Sequence, residues 1–177
     1  MPGILANCGI CARTIGAREG MAFLDDGHFA HVPCYTDGDG GSSLSERSSP
    51  AFLRNIHVLV VEDNPEILDL LRSTFEYSGA FVTSADSATL GKRLLRELTP
   101  HVIVTDISMP DDGLAMVAEV LAFGRELGSK IPAIAITAAR DGVGDLRRAG
   151  FSAFIAKPLD PFVLTVVAER LVRASRT

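Results

Sequence analysis

Between residues 56 and 171 a short apolar run, rich in Val, Ile and Ala, gives way five times to a segment with apolar side chains at helical spacing. The runs are 56–61, 80–84, 101–105, 132–136 and 152–156. Short, nearly uninterrupted apolar runs of this kind suit strands buried on both faces of a parallel sheet. The intervening segments carry their own stop and start signals. Asn64-Pro65-Glu66 offers a capping side chain, a first-turn proline and an early acid, and Ile67, Leu71 and Phe75 follow before Gly79. Asp86 is expected to cap a second helix with Leu90, Leu94, Leu95 and Leu98 on one face and Pro100 at its end. Leu114, Val117 and Leu121 mark a third helix, and a weaker, glycine-interrupted one covers about 139–149. Asp160-Pro161 opens the last, which carries Val163, Leu164, Val167 and Leu171. Five such alternations imply an α/β fold, a (βα)5 doubly wound parallel sheet with helices on both faces.

Ligands of open α/β sheets bind beyond the carboxyl ends of the strands, where the strand order reverses. Glu62 and Asp63 follow the first strand, Asp106 the third, Thr137 the fourth and Lys157-Pro158 the fifth. Three close carboxylates raise one another's pKa unless a cation relieves them. Mg2+ suits that role, because it takes one or two carboxylates together with water and phosphate oxygens. An Asp oxygen is also a competent nucleophile towards phosphorus, and an ammonium and a hydroxyl can offset the charge of a transferred phosphoryl group. His57 and His101 lie near strand starts, at the opposite end, and are read as structural.

Val60-Val61-Glu62-Asp63-Asn64, Val104-Thr105-Asp106-Ile107-Ser108-Met109-Pro110, Ala135-Ile136-Thr137-Ala138 and Phe154-Ile155-Ala156-Lys157-Pro158 occur in that order. Asp63, Asp106, Thr137 and Lys157 are separated by 43, 31 and 20 residues. In these motifs the chain resembles the receiver domain of two-component response regulators, over about 120 residues. The resemblance implies a flavodoxin-like sheet of order 2-1-3-4-5. It implies Asp106 as the phosphoacceptor, and Mg2+ bound by Asp63, Asp106 and the Ser108 carbonyl, with Glu62 helping through water. Lys157 would bind the phosphoryl group, while Thr137 and Phe154 match the switch hydroxyl and switch aromatic. Ser108 stands where longer polar side chains are common in the family, which bears on phosphoryl lifetime, and Ala139, two residues after Thr137, is small and leaves the site open. Phe154 lacks the hydroxyl of the frequent Tyr. An ordinary core position is the competing reading for Phe154.

Residues 1–36 hold a different chemistry. All three cysteines lie there, Cys8 and Cys11 as C-x2-C and Cys34 three residues after His31. An odd set cannot pair completely, and a reducing compartment favours metal over disulfides. Three thiolates and one imidazole suit a closed tetrahedral Zn2+ site of structural type. The stretch resembles the first zinc finger of a LIM domain without the second half. His28 competes with His31 for the fourth position, His31 being preferred by spacing, and three reduced thiols in an unstructured tail is the competing reading. Residues 37–53, rich in Gly and Ser, read as a flexible linker, and 54–177 as the receiver.

Charge narrows the function. The chain carries 17 basic and 22 acidic side chains, a net −5, which offers no footprint for unaided nucleic-acid binding. Neither a membrane span nor a secretory signal is legible, so a cytoplasmic location is expected. Twenty residues follow Lys157, enough for one helix, and no output domain or separate enzyme is expected. The leading expectation is therefore a stand-alone receiver. It would take a phosphoryl group from a sensor histidine kinase or histidine phosphotransfer protein and signal through contact with a downstream protein. The alternative is a non-phosphorylated pseudo-receiver acting as an adaptor through the zinc module. A phosphatase of the haloacid-dehalogenase type needs a second Asp where Ser108 stands.

Overall fold

A computed structural model describes residues 6–9, 11–15, 21–23, 29–31, 34, 52–109, 113–137 and 143–176. Nine strands and five helices occur among them. The N-terminal segment contributes β1 (Ala6–Asn7), β2 (Thr14–Ile15), β3 (Met21–Phe23) and β4 (Phe29–His31). The alternating region gives β5 (His57–Val61), α1 (Pro65–Tyr77), β6 (Phe81–Ala85), α2 (Ala88–Leu98) and β7 (Val102–Asp106). It continues with α3 (Gly113–Glu126), β8 (Ala133–Thr137), α4 (Val143–Ala149), β9 (Ala153–Ala156) and α5 (Pro161–Ser175).

The five parallel strands stand in the order β6-β5-β7-β8-β9, which in units of the alternation is 2-1-3-4-5. Side chains alternate across the sheet, so each strand feeds two cores. Val58, Val60, Val104 and Ile136 join Leu71 and Phe75 of α1 and Leu164 and Val167 of α5 on one face. Leu59, Val61, Ile103 and Phe154 join Leu95 of α2 and Met116, Val117 and Val120 of α3 on the other. Arg96 ties α2 to α3 through Glu119 (2.7 Å) and Glu126 (3.0 Å) and lies 5.3 Å from the Phe123 ring centre. Gly150 has φ +103°, and a Cβ there would overlap Leu121, so the α4–β9 turn requires glycine.

Helix ends follow the sequence signals with one correction. Asn64 Oδ1 accepts from the Glu66 and Ile67 N–H groups at 3.0 and 3.2 Å, and Asp160 Oδ1 from Phe162 N–H at 2.9 Å. Asp86 does not cap α2. Ser87 does, its Oγ accepting from Leu90 N–H at 3.4 Å, while Asp86 accepts a hydrogen bond from the Ser87 hydroxyl. A shorter side chain one residue closer reaches the free N–H groups of the first turn. Residues 138–142, which include the start of the expected fourth helix, and 35–51, most of the expected linker, lie outside the described residues. Leu53, at the end of the linker stretch, is fully buried against the α1/α5 core and its N–H donates to Ser78 O at 2.9 Å.

The sheet does not stop at β9. The hairpin β3–β4 extends it to seven strands, with β3 antiparallel to β9 through Met21 opposite Phe154 and Ala22 opposite Ala153. Successive cross-strand partners form one row through His31, Met21, Phe154, Ala135, Thr105, Val61 and Ala85. Cys8, Ile15 and Ala30 belong to the same buried cluster as Phe154.

Candidate functional site

The carboxyl ends of β5, β7, β8 and β9 bring the sequence-nominated residues together. The backbone fixes them first. Glu62 N–H donates to Ala85 O at 3.0 Å, Ile107 N–H to Ile136 O at 3.0 Å and Lys157 N–H to Thr137 O at 2.9 Å, so the ladder continues through the site. Asp106, last residue of β7, is 3% exposed, Thr137, last of β8, is 1% exposed, and Glu62 is fully buried. Asp63 is exposed.

Lys157 organises the carboxylates. Its Nζ lies 2.7 Å from Asp106 Oδ2 and 3.0 Å from Glu62 Oε2. Asp106 Oδ1 accepts from Ser108 N–H at 2.7 Å, and Glu62 Oε1 from Asn64 N–H at 3.2 Å. Burial pushes the Glu62 carboxyl above its usual range, more than hydrogen bonds from Lys157 and Asn64 can offset, and the nearby Asp106 charge adds to the rise. Burial works against the Lys157 ammonium, but its bonds to Asp106 and Glu62 outweigh that and hold its pKa above the ordinary lysine value. Two carboxylates sharing one ammonium remain a charge excess. Oxygens of Glu62, Asp63 and Asp106 all lie within 4.8 Å of one another, a hard-donor set that fits a divalent cation such as Mg2+.

The sequence missed the direct contact of Lys157 with Glu62. A pair 95 residues apart leaves no local signal, although both flank Asp106 in the strand order. His57 and His101 sit at the amino ends of β5 and β7. His57 N–H donates to His101 Nδ1 at 2.9 Å, and burial lowers both imidazole pKa values.

The cysteines converge separately. One ligand atom each of Cys8, Cys11, His31 and Cys34 lies within 4.8 Å of the others. His31 Nδ1 is 3.5 Å from Cys11 Sγ and 3.8 Å from Cys34 Sγ. Zn–S bonds of about 2.3 Å and Zn–N bonds of about 2.0 Å at tetrahedral angles give S···N edges of about 3.5 Å, so this spacing fits one zinc ion. The knuckle is tight. Cys11 N–H approaches Cys8 Sγ at 3.5 Å, Ala12 N–H donates to Cys8 O at 2.9 Å, and Ala12 has φ 59°. The Arg13 guanidinium lowers the Cys11 thiol pKa, while burial and then the other thiols push Cys34 up to about 11. His28 lies outside the described residues.

A family model of the response regulator receiver domain matches residues 58–169. The chain belongs to the receiver family. A protein of Leptolyngbya boryana described as an uncharacterized 14.6 kDa protein in the sodA1 3′ region is 40% identical over 117 residues, covering 63% of this chain and 86% of that protein. The polar-differentiation response regulator DivK of Brucella ovis is 36% identical over 104 residues, covering 58% of this chain and 84% of DivK. The probable C4-dicarboxylate response regulator DctR of Halalkalibacterium halodurans is matched over only 45% of its length, at 33% identity. Among solved structures, the Mg2+-complexed receiver domain of the histidine kinase CKI1 from Arabidopsis thaliana superposes with a TM-score of 0.61 at 27% identity, covering 69% of this chain and 95% of that one. The family model begins at residue 58 and so does not include the cysteine cluster. No described helix is long and apolar enough to cross a membrane, and nothing among the described residues indicates a separate output enzyme domain.

Proposed function

We propose that this receiver is a phosphoacceptor in two-component signalling, with Asp106 as the acceptor. The placement of Lys157 Nζ against Asp106 and Glu62 carries the reading, because it sets a fixed cation beside the oxygen where charge will build. An Asp106 carboxylate oxygen attacks the phosphorus of a phosphohistidine on a sensor kinase or phosphotransfer protein. The O–P bond forms as the P–N bond breaks, and the leaving imidazole nitrogen keeps the electron pair and takes a proton. Lys157 then exchanges its Asp106 bond for a phosphoryl oxygen, while Ser108 N–H stays on the carboxyl end of the acyl phosphate. Asp63, Asp106 and the Ser108 carbonyl would hold Mg2+, with Glu62 acting through water. When bound, Mg2+ neutralises phosphoryl charge and orients the group for in-line attack. Thr137 would turn its hydroxyl to the phosphoryl group, and Phe154 would report the change by repacking. Output is a protein contact made in the phosphorylated state, in the cytoplasm, without direct nucleic-acid or membrane binding.

Wild-type protein incubated with a small acyl-phosphate donor and Mg2+ is expected to gain the mass of one phosphoryl group. No gain, under conditions where a control receiver reacts, would overturn this reading and leave the adaptor role through the N-terminal module.

Cys8, Cys11, His31 and Cys34 are proposed to hold one structural Zn2+. The tetrahedral spacing supports it, as does the shortness of the N-terminal strands, two or three residues each. Elements this small do not fold on apolar burial alone. Purified protein is expected to contain one zinc per chain, and Cys8→Ala to lose it. Zinc at full stoichiometry in Cys8→Ala would dismiss this ligand set.

A further inference from the structure

We propose that the zinc-loaded hairpin is a fastener on the receiver's outer strand, so that metal occupancy governs the order of β9 and the placement of Lys157. The proposal rests on the zinc reading above. In the five-stranded parallel sheet β9 would be an edge, with a row of unpaired N–H and C=O groups facing outward. Here β3 covers that edge through the Met21–Phe154 and Ala22–Ala153 pairs, and β4 backs β3 through three pairs. Ala30 of β4 packs in the buried cluster with Phe154, a contact too small to hold so short a hairpin by itself. Three-residue strands lose more conformational entropy on ordering than a few ladder bonds return.

The ligand cluster supplies what is missing. His31 is both the last residue of β4 and a zinc ligand, and it stands in the same cross-strand row as Met21 and Phe154. Cys8 and Cys11 come from the β1–β2 knuckle and Cys34 from beyond β4. One ion therefore closes the N-terminal segment on itself and presents β3 to β9 as a formed edge. Beyond Phe154, β9 runs on through Ile155 and Ala156 to Lys157, whose Nζ is 2.7 Å from Asp106. With the metal absent the hairpin frays, β9 becomes an open edge at Ala153 and Phe154, and the strand that leads to Lys157 is held only by its ladder with β8 and the Lys157 N–H bond to Thr137 O. Phosphorylation of Asp106 then slows.

Hydrogen exchange on the full-length protein, in excess Mg2+ with and without a zinc-selective chelator, tests this. Chelation is expected to raise exchange about tenfold or more in β3, β4 and residues 150–157 and to leave β5 and β7 protected. The rate of phosphorylation from a small acyl-phosphate donor is expected to fall about fivefold. Ala22→Pro breaks the β3 ladder without touching a ligand, and is expected to loosen residues 150–157 while zinc stays bound. Unchanged exchange in 150–157 after zinc has left would overturn the fastener and spare the zinc site. Loss of protection throughout the sheet would also overturn it, by making the metal a global stabiliser. Protein that neither contains nor takes up zinc would remove the zinc reading itself.

Discussion

Asp106→Asn will take up no phosphoryl group from a small acyl-phosphate donor with Mg2+, where the wild type gains one, and its fold will survive. The amide has no anionic oxygen to offer phosphorus, so the loss is complete and not a change of rate. Survival follows from the charge count. Asp106 and Glu62 now share the single ammonium of Lys157, and the Asp106 charge helps to raise the Glu62 carboxyl. Removing one carboxylate leaves Glu62 and Lys157 paired one to one at 3.0 Å. The Ser108 N–H keeps an acceptor in the amide oxygen. Thermal unfolding is expected within about 1 kcal/mol of wild type, the scale of one hydrogen bond. A mass gain that persists in Asp106→Asn would move the acceptor elsewhere. An unfolded variant would show that Asp106 is needed for the fold as well as the chemistry.

Phe154→Ala will destabilise the protein by about 3–5 kcal/mol, the range for emptying a buried phenyl site. Phe154 is 1% exposed, among the largest fully buried side chains, and it sits where the α2/α3 core meets the N-terminal cluster. Against a typical stability of about 5–15 kcal/mol, that leaves a marginal fold. Urea denaturation of the two proteins measures it directly. Phe154→Leu, which keeps most of the volume, should lose less than half as much. Equal losses in both variants would mean that the ring's shape, and not its volume, holds the site. A loss below about 1 kcal/mol in Phe154→Ala would mean that neighbouring side chains close over the space.

What the sequence discloses here depends on range. Strand runs are short and nearly all apolar, so β5 to β9 fall within a residue or two of the stretches read from hydrophobicity, and the receiver motifs fix their order. Residues at carboxyl ends of parallel strands meet because the topology makes them meet, and Glu62, Asp63, Asp106, Thr137 and Lys157 were legible for that reason. The partner of β9 was not. Met21-Ala22-Phe23 and Phe29-Ala30-His31 are three residues each, too short for alternation to show a face, and antiparallel addition to an edge needs no motif. The α2 cap was misread by one residue because Asp86 and Ser87 are both good capping types, and only backbone geometry chooses between them. The direct bond of Glu62 to Lys157 depends on how deeply that carboxyl is buried, which spacing does not encode.

The cross-strand row from His31 to Thr105 bears on how the two centres can sense each other. Four strand spacings of about 4.8 Å separate β4 from β7, or roughly 19 Å, and Asp106 directly follows Thr105. That is more than twice the Debye length of about 8 Å at physiological ionic strength. Through solvent, the charge of a metal–thiolate centre is screened out before it reaches the acceptor carboxylate. The influence that the fastener exerts travels inside the protein, along the pleat, and should therefore be indifferent to added salt.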